Sequence, residues 1–330
     1  MVSSYCSLKL EEASLLIRFQ PLFTLFFCVL NFLFALVATV SNLLVICALW
    51  KASSIPSNLK KLLLNLAFSD LAVGSFVQPM FSIVMAVMLS TNSSDFDYFC
   101  PAIITVTLFC VYFLAGVSFL TIAAIAFDRF LAVTLHLRYQ SLVTDKRVRV
   151  GLVFLWLTTA LTTFAVIASH SHNNIGIVTV QSVGFAVITV AYLRIYKVLR
   201  RHRNQIYSQR QIHNDQVPIR AAREKKSALN SFYVYITSLV CYLPSTCCFV
   251  LLQVNHLEIS YISTGYVAFF LVFLSSSLNP LVYCWRYSEI RDNVKRTVKK
   301  ICRANNHMAQ YHHEHIPGLP LWGALHYTNY

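Results

Sequence analysis

The chain has 330 residues, of which 57% are hydrophobic and only 12% charged, and its mean hydropathy is +0.59. Lys and Arg outnumber Asp and Glu by 27 to 13, which gives a formal net charge of +14. Soluble globular proteins carry roughly 25% charged residues, so the composition excludes a soluble nucleic-acid-binding protein despite the positive charge. The many apolar and aromatic residues exclude a disordered chain, and ten cysteines are too few for a disulfide-rich secreted scaffold. The remaining class is an integral membrane protein.

Long segments without charge predict seven membrane spans. A helix needs about 20 apolar residues to cross the hydrocarbon layer of a bilayer. Such segments lie at 19–50, 62–94 (interrupted only by Asp70), 98–127, 150–193, 228–257 and 259–285. The segment 150–193 is about twice as long as one span, so it must turn at its polar cluster, Ser169–Asn174. The segment that begins near Phe19 is too long for a cleaved signal peptide and is expected to be the first span.

The distribution of basic residues predicts the orientation of these spans. With seven spans, every Lys and Arg except Lys9 and Arg18 falls on one side of the membrane. Because cytoplasmic loops are enriched in Lys and Arg, that side is expected to be the cytoplasm of a plasma-membrane protein. We therefore predict an extracellular N-terminus (1–20), a seven-transmembrane domain (21–285), an amphipathic membrane-surface helix (286–303) and a flexible cytoplasmic tail (304–330).

This topology suggests two sites of covalent modification and one helix that binds the membrane surface. Asn92 begins a glycosylation sequon on the predicted outer side, although such triplets also arise by chance. Apolar and basic residues alternate at helical spacing after span seven, which indicates a helix on the anionic lipid of the inner leaflet. Cys302 at its end is expected to be palmitoylated, with a free thiol as the alternative.

Short motifs on the predicted spans resemble those of the rhodopsin-like (class A) G-protein-coupled receptors. They are Ser41-Asn42, the segment Leu64–Ala72 with Asp70, Asp128-Arg129-Phe130, Trp156, Cys241-Tyr242-Leu243-Pro244 and Asn279-Pro280-Leu281-Val282-Tyr283. Each motif alone is weak, but their order along successive spans is specific. The resemblance covers about 21–302. It implies an all-α, seven-transmembrane helix bundle that is not an enzyme and that passes a signal from an extracellular ligand to a heterotrimeric G protein.

The resemblance also implies a conformational switch at the cytoplasmic end. In the family, the Arg of the motif on span three pairs with an acid on span six in the inactive state, and Glu224 stands at the matching place. An Arg that merely extends to the membrane interface is the alternative for Arg129. Kinks at prolines and two movable tyrosines complete the family switch. The implied residues are Asp128, Arg129, Tyr192, Glu224, Pro244, Asn279, Pro280 and Tyr283.

Asp70 is the one acid deep inside a predicted span, and charge there is costly and usually functional. The matching Asp of the family binds a sodium ion that stabilises the inactive state. The resemblance implies the sodium ligands Asp70, Ser118, Ser275 and Asn279, with Ser276 as a further oxygen donor. A neutral carboxyl group that only packs between helices is the alternative. No other cofactor is expected.

The chain departs from the family pattern near the extracellular side. The turn between spans four and five contains no Cys, so the usual disulfide cannot form, and Cys6–Cys100 is a possible replacement. Gly184 stands where a proline is usual, and Tyr242 where a Trp is usual. The short turn and the missing proline resemble melanocortin receptors, whereas Ala191–Ile195 is similar to adenosine receptors. The ligand-binding residues of neither group are present.

The positions that line the ligand pocket in the family carry apolar residues and two amides here, without a charge. They are Gln78, Leu108, Val111, Tyr112, Gln181, Tyr242, Thr246, Phe249, Phe269 and Phe273. An ion would lack a partner among them, so an uncharged or lipid-like small molecule, or a peptide at the outer rim, is favoured. About half of these residues are also compatible with simple packing between helices.

Two other functions were weighed against a ligand-activated receptor. A multi-span transporter would be expected to show internal repeats and several ionisable groups inside the membrane. No repeat is visible, and Asp70 is the only acid deep in a span. A ligand-independent or decoy receptor remains open, because the motifs indicate coupling but not what triggers it.

Overall fold

The computed structural model of the protein describes residues 3–90, 100–135, 138–168, 175–210, 219–252 and 259–315. Side chains are described in these ranges except at 3–10, 100, 101, 175, 199, 201–210, 219–231, 249, 252, 259, 261 and 305–315. The α-helices are α1 (Ser3–Phe19), α2 (Pro21–Lys51), α3 (Ser57–Ala72), α4 (Gln78–Ser90), α5 (Cys100–Leu135), α6 (Tyr139–Leu142), α7 (Asp145–Ala168), α8 (Ile175–Arg210), α9 (Ile219–Leu252), α10 (Ile259–Arg286) and α11 (Ser288–His315).

Eight of these α-helices form the seven spans of an all-α bundle. A π-helical segment, Val73–Val77, joins α3 to α4 in span two. Span one is α2, span three α5, span four α7, span five α8, span six α9 and span seven α10. Six spans are long and apolar enough to cross a membrane, and α9 contributes a shorter apolar stretch, Phe232–Cys248. The predicted seven-helix fold is therefore confirmed.

Buried polar side chains connect the spans in the interior of the bundle. The Asn42 amide donates to the carbonyl oxygen of Ser276 over 2.9 Å, which joins spans one and seven. The Asn65 amide donates to the hydroxyl of Thr121 (2.8 Å) and accepts from the Trp156 indole (2.9 Å), which joins spans two, three and four. Lipid offers no hydrogen bonds to such groups, so pairing inside the bundle is their stable arrangement.

The N-terminal segment is a helix that packs on one end of the bundle. Ala13 and Leu16 of α1 are buried, and Ala13 belongs to a cluster with Cys28 and Met85. Only Gln20 separates α1 from α2, and its side-chain carbonyl accepts a hydrogen bond of 2.9 Å from Ser263 on span seven. We call this end of the bundle the α1 end and the opposite end the Arg129 end.

Helix α11 follows span seven at the Arg129 end and continues to His315, beyond the predicted limit at 303. Its Ile290 is fully buried, and the Asn293 amide donates to the carbonyl oxygen of Ala48 over 3.3 Å. The Glu289 carboxylate accepts the backbone N–H groups of Ser53 (2.7 Å) and Ser54 (3.1 Å) and the hydroxyl of Ser54. These contacts tie α11 to the connection between spans one and two.

Candidate functional site

The Asp70 side chain is fully buried and accepts hydrogen bonds from donors on spans three and seven. Its Oδ1 accepts from the hydroxyls of Ser118 (3.1 Å) and Ser276 (2.9 Å), and its Oδ2 accepts from the Asn279 amide (2.8 Å). Ser118 also shares a 2.9 Å hydrogen bond with Ser69. Ser118 and Asn279 of the predicted set therefore meet at Asp70.

The chemistry of the atoms around Asp70 fits a small hard cation. The Asn279 Oδ1 is buried and has no hydrogen-bond partner among the described residues, so it offers an oxygen beside the carboxylate. The hydroxyl of Ser275 donates within its own helix to the carbonyl oxygen of Val272 (2.6 Å), and Ser276 takes the place beside Asp70.

Arg129 is 3% exposed and lies at its end of the bundle against the neighbouring Asp128. Its Nε donates to Asp128 Oδ2 over 3.0 Å, and a second guanidinium nitrogen contacts the same oxygen. Asp128 Oδ1 accepts from the Tyr139 hydroxyl over 2.6 Å. Burial, together with the nearby Asp128 charge, raises the pKa of Tyr139 to about 12, so its phenol stays protonated and donates.

The tyrosines of the predicted switch lie in the same region. Tyr192 is buried and stacks on Tyr235 of span six, with ring centroids 5.2 Å apart and an interplanar angle of 20°. The Tyr283 hydroxyl is buried without a hydrogen-bond partner in the described part of the chain, so it is available to a new partner after a rearrangement. Pro244 and Pro280 lie inside α9 and α10. Glu224 lies on α9, but its side chain is outside the described set.

Spans six and seven touch at the Arg129 end through an aromatic and cationic cluster of Tyr233, Trp285 and Arg286, which we call the Arg286 clasp. The guanidinium carbon of Arg286 lies 4.2 Å from the ring centroid of Tyr233 and 5.0 Å from that of Trp285. The rings of Tyr233 and Trp285 meet edge to face at 5.0 Å. Cation–π contacts of this kind hold the two helix ends together.

Gly184 and Tyr242, which depart from the family pattern, both lie against the ring of Phe119. A Cβ at Gly184 would collide with Cε1 of Phe119 and lie 2.9 Å from its Cζ. Tyr242 packs on the other side of that ring at 5.3 Å between centroids, and its hydroxyl donates to the carbonyl oxygen of Ala115 over 3.2 Å. Phe119 thus links spans five and six, and it requires a residue without a side chain on span five.

A cavity that we call the central cavity lies between spans three to seven. The described residues of its lining carry no charge, and Gln181 Oε1 accepts from the Thr246 hydroxyl over 2.8 Å at its edge. The lining residues are Val111, Tyr112, Ala115, Gly116, Phe119, Leu120, Thr159, Thr162, Thr163, Val166, Gly176, Ile177, Val180, Gln181, Ser245, Phe269 and Val272.

A second cavity lies beneath helix α1, and we call it the α1 cavity. Val111 and Phe269 line both cavities, so the two adjoin. The lining residues are Glu12, Ala13, Phe81, Val84, Met85, Met88, Ile104, Thr107, Leu108, Val111, Tyr266 and Phe269. Glu12 adds a carboxylate to the α1 cavity, whereas the pocket residues predicted from the sequence carry no charge.

Some predicted pocket residues line neither cavity. Gln78 is fully buried and donates to the Asn31 side chain of span one over 2.9 Å. Phe273 is buried against Phe81, with ring centroids 5.6 Å apart, and Tyr242 is engaged by Phe119. The side chain of Phe249 lies outside the described set.

The structure describes only some of the predicted modification sites. Cys302 is exposed on α11. Asn92 and the side chains of Cys6 and Cys100 lie outside what the structure describes. Among the described side chains, no group of three His, Cys, Asp or Glu is placed to bind a metal ion.

Three residues of the site were missed by sequence reasoning. Glu12 stands beside Ala13 and Leu16, whose spacing is typical of a buried helical stripe and could have indicated a packed helix. Tyr139 and Phe119 gave no comparable signal, because their roles depend on partners that are distant in sequence.

Comparison with known proteins agrees with this architecture. The profile of the 7 transmembrane receptor (rhodopsin family) matches residues 41–178, from span one to the start of span five. Melanocortin receptor 4 of Danio rerio is 24% identical over 274 residues, which cover 81% of each chain. The motifs, the seven-span bundle and these two matches support a rhodopsin-like (class A) G-protein-coupled receptor.

Proposed function

We propose that the receptor acts at the plasma membrane, with the α1 end outside the cell and the Arg129 end in the cytoplasm, and that it has no catalytic activity of its own. The distribution of Lys and Arg supports this orientation. The observation that carries the coupling function is Arg129, a buried guanidinium held by Asp128 at the end of the bundle that would face a heterotrimeric G protein.

The proposed switch releases this end of the bundle. Arg129 and Glu224 restrain span six in the closed state, and an opening at Pro244 separates span six from spans three and seven. Arg129 then becomes available to the G protein. A buried guanidinium without a partner would be costly, which is why its carboxylate neighbour accompanies it in the closed state. Tyr192 and Tyr283 change their interaction partners when the helices move.

The proposed ligand places an uncharged part in the central cavity. The apolar lining favours a lipid-like small molecule or the apolar end of a peptide. The Gln181 amide uses one of its two ends for Thr246, so the other end is available for a neutral carbonyl or hydroxyl group of the ligand.

We further propose a sodium ion at Asp70 as an allosteric ligand. Asp70 and the unpaired Asn279 oxygen would supply two contacts, and the hydroxyls of Ser118 and Ser276 could turn from donors into ligands. Sodium there would satisfy the buried carboxylate and stabilise the closed bundle. Asp70→Ala should abolish the sodium dependence of agonist affinity, and a dependence that persisted unchanged would contradict this.

The proposed membrane contacts of α11 involve anionic lipid of the inner leaflet. Its basic residues Arg291, Lys295, Arg296, Lys299 and Lys300 follow a helical pattern beside exposed Val298 and Ile301. Palmitoylation of exposed Cys302 would add a second anchor.

A ligand screen read by G-protein activation in cells tests the proposed function. Arg129→Ala should bind an identified ligand but fail to activate the G protein, whereas Lys146→Ala, which removes an exposed cation nearby, should signal normally. Glu224→Ala should raise signalling without ligand. Normal signalling by Arg129→Ala would overturn the proposed coupling mechanism.

A further inference from the structure

We propose that the α1 cavity binds an organic cation, an ammonium or guanidinium group on an apolar body, with Glu12 as its counter-ion. The proposal rests on the receptor function proposed above and names the charged end of the ligand. It also makes the N-terminal helix a wall of the binding site.

The first observation is a carboxylate in an apolar cavity. Glu12 is 7% exposed and is the only charged residue among the described side chains that line the α1 cavity. A carboxylate removed from water attracts a cation more strongly than an exposed one does, because the surrounding dielectric is low. Glu12 has a further interaction in the folded chain, so a ligand cation would share its carboxylate with that partner.

The second observation is the aromatic wall opposite α1. Phe81, Tyr266 and Phe269 line the cavity, and the rings of Phe81 and Tyr266 lie 6.1 Å apart. The faces of such rings attract cations, most strongly where water is excluded. An anion would meet both the carboxylate and the negative ring faces, so the cavity selects against carboxylate ligands.

The third observation is the continuity of the two cavities. Val111 and Phe269 form a wall common to both cavities. A cation near Glu12 could therefore carry an apolar body toward the central cavity, whose lining is uncharged. The ligand class that follows is an amphipathic amine or guanidine.

The test uses the whole 330-residue chain purified in lipid nanodiscs and three probes with the same apolar body: 4-phenylbutylamine, 4-phenylbutanol and 5-phenylpentanoate. Binding is measured at pH 7 as the concentration-dependent rise of the unfolding temperature. The amine is protonated at this pH. We expect it to bind at least about tenfold more tightly than the alcohol, a difference of about 1.4 kcal/mol, and the carboxylate to bind most weakly.

Glu12→Gln should lower the affinity for the amine to that for the alcohol and leave the alcohol unchanged. Glu11→Gln, which removes the same charge from the exposed neighbour, should change neither affinity. Equal binding of amine and alcohol to the wild-type receptor, no stabilisation by the amine, or full amine affinity in Glu12→Gln would each overturn the proposal. The wild-type comparison decides the matter even if the Gln variant does not fold.

The assay contains no G protein, so its failure is separate from failure of the proposed coupling. Loss of the cation site with normal ligand-dependent signalling would leave the receptor function intact. An amine that activates the G protein equally through the wild type and through Arg129→Ala would instead contradict the coupling mechanism.

Discussion

At the scale of single residues, buried polar side chains act here as specific connections between helices. The Asn31 amide donates to the carbonyl oxygen of Gln78 (3.1 Å) and to the Ser82 hydroxyl (2.9 Å), which joins spans one and two near the α1 end. The motifs predicted that Asn42 and Asp70 matter, and both are fully buried. Gln78 was expected in the ligand pocket, and only the rotation of span two, which the sequence does not specify, turns it toward Asn31.

Glu289 provides a prediction with a pH dependence. Partial burial by itself would raise the pKa of Glu289, but the hydrogen bonds from Ser54 and Ser53 outweigh it and leave the pKa below its usual value of 4.5. The ionised form therefore stabilises the folded protein above about pH 4.5, and this contribution is lost as the pH falls through the lowered pKa. Glu289→Gln should destabilise the docking of α11 at pH 7 by less than about 1 kcal/mol, because the site is partly solvated.

The measurement is hydrogen exchange in the first turns of α11 between pH 7 and pH 4, corrected for the intrinsic pH dependence of exchange. Asp292→Asn is the matched control, because Asp292 is exposed on the same helix. Equal protection in Glu289→Gln and the wild type at pH 7 would show that Glu289 does not fasten α11.

At the scale of helices, spans five and six pack through Phe119 where the family pattern has a proline and a tryptophan. The sequence shows that Gly184 and Tyr242 are unusual, but not why, because Phe119 lies 65 positions before Gly184 on another span. The structure supplies the cause, since the ring fills the space above Gly184 and contacts Phe185 at 5.0 Å as well as Tyr242.

Gly184→Ala should destabilise the receptor by about 1–3 kcal/mol, because the added methyl group would overlap the Phe119 ring. Phe119→Leu should relieve part of this cost, so the double variant should be more stable than the sum of the single effects predicts. Thermal unfolding in nanodiscs is the measurement.

Gly151→Ala is the control for this substitution. A Cβ at Gly151 meets nothing within 4 Å, so the change should be neutral or stabilising by up to about 1 kcal/mol through helix propensity. An equal loss of stability at both glycines would refute the steric explanation.

The Arg286 clasp yields a second prediction for helices. If span six moves away from span seven on activation, the contact of Arg286 with Tyr233 must break. Tyr233→Leu removes a cation–π contact of about 1 kcal/mol, which corresponds to about a fivefold shift toward the open state. G-protein activation without ligand should rise accordingly.

Tyr233→Phe keeps the aromatic face and should behave like the wild type. Tyr196→Leu, which replaces an exposed tyrosine on span five, should also leave basal signalling unchanged. Unaltered basal signalling in Tyr233→Leu would mean that the clasp does not restrain span six.

At the scale of the whole molecule, the seven spans were predictable because hydrophobic length and the distribution of basic residues are strong signals. The packing of α1 had only a weak signal, since the spacing of Ala13 and Leu16 fits a buried stripe whereas the acids Glu11 and Glu12 are typical of a solvated terminus. The cavities were predictable only in part, because Val111, Tyr112, Gln181 and Phe269 line the central cavity whereas its wall on span four comes from residues that no motif marks.

The packing of α1 on the bundle depends on Leu16, which is fully buried. Leu16→Ala removes a side chain whose loss in a packed core costs about 2–5 kcal/mol, enough to detach a helix joined to the bundle at one end. Backbone hydrogen exchange in 11–19 should accelerate, while exchange in the seven spans stays unchanged. Leu22→Ala, at an 81% exposed leucine of span one, is the control, and unchanged exchange in α1 of the Leu16 variant would contradict the packing described.

The single-residue junction at Gln20 has a practical consequence for the design of recombinant receptors. Truncation or tag fusion at Pro21 would keep all seven spans, every motif and the region that matches the family profile. Such a protein would still match the family by its motifs and profile. It would lack Glu12 and the helix that covers the α1 cavity. Ligand screens should therefore use the chain with its first 20 residues intact and carry any tag at the opposite terminus.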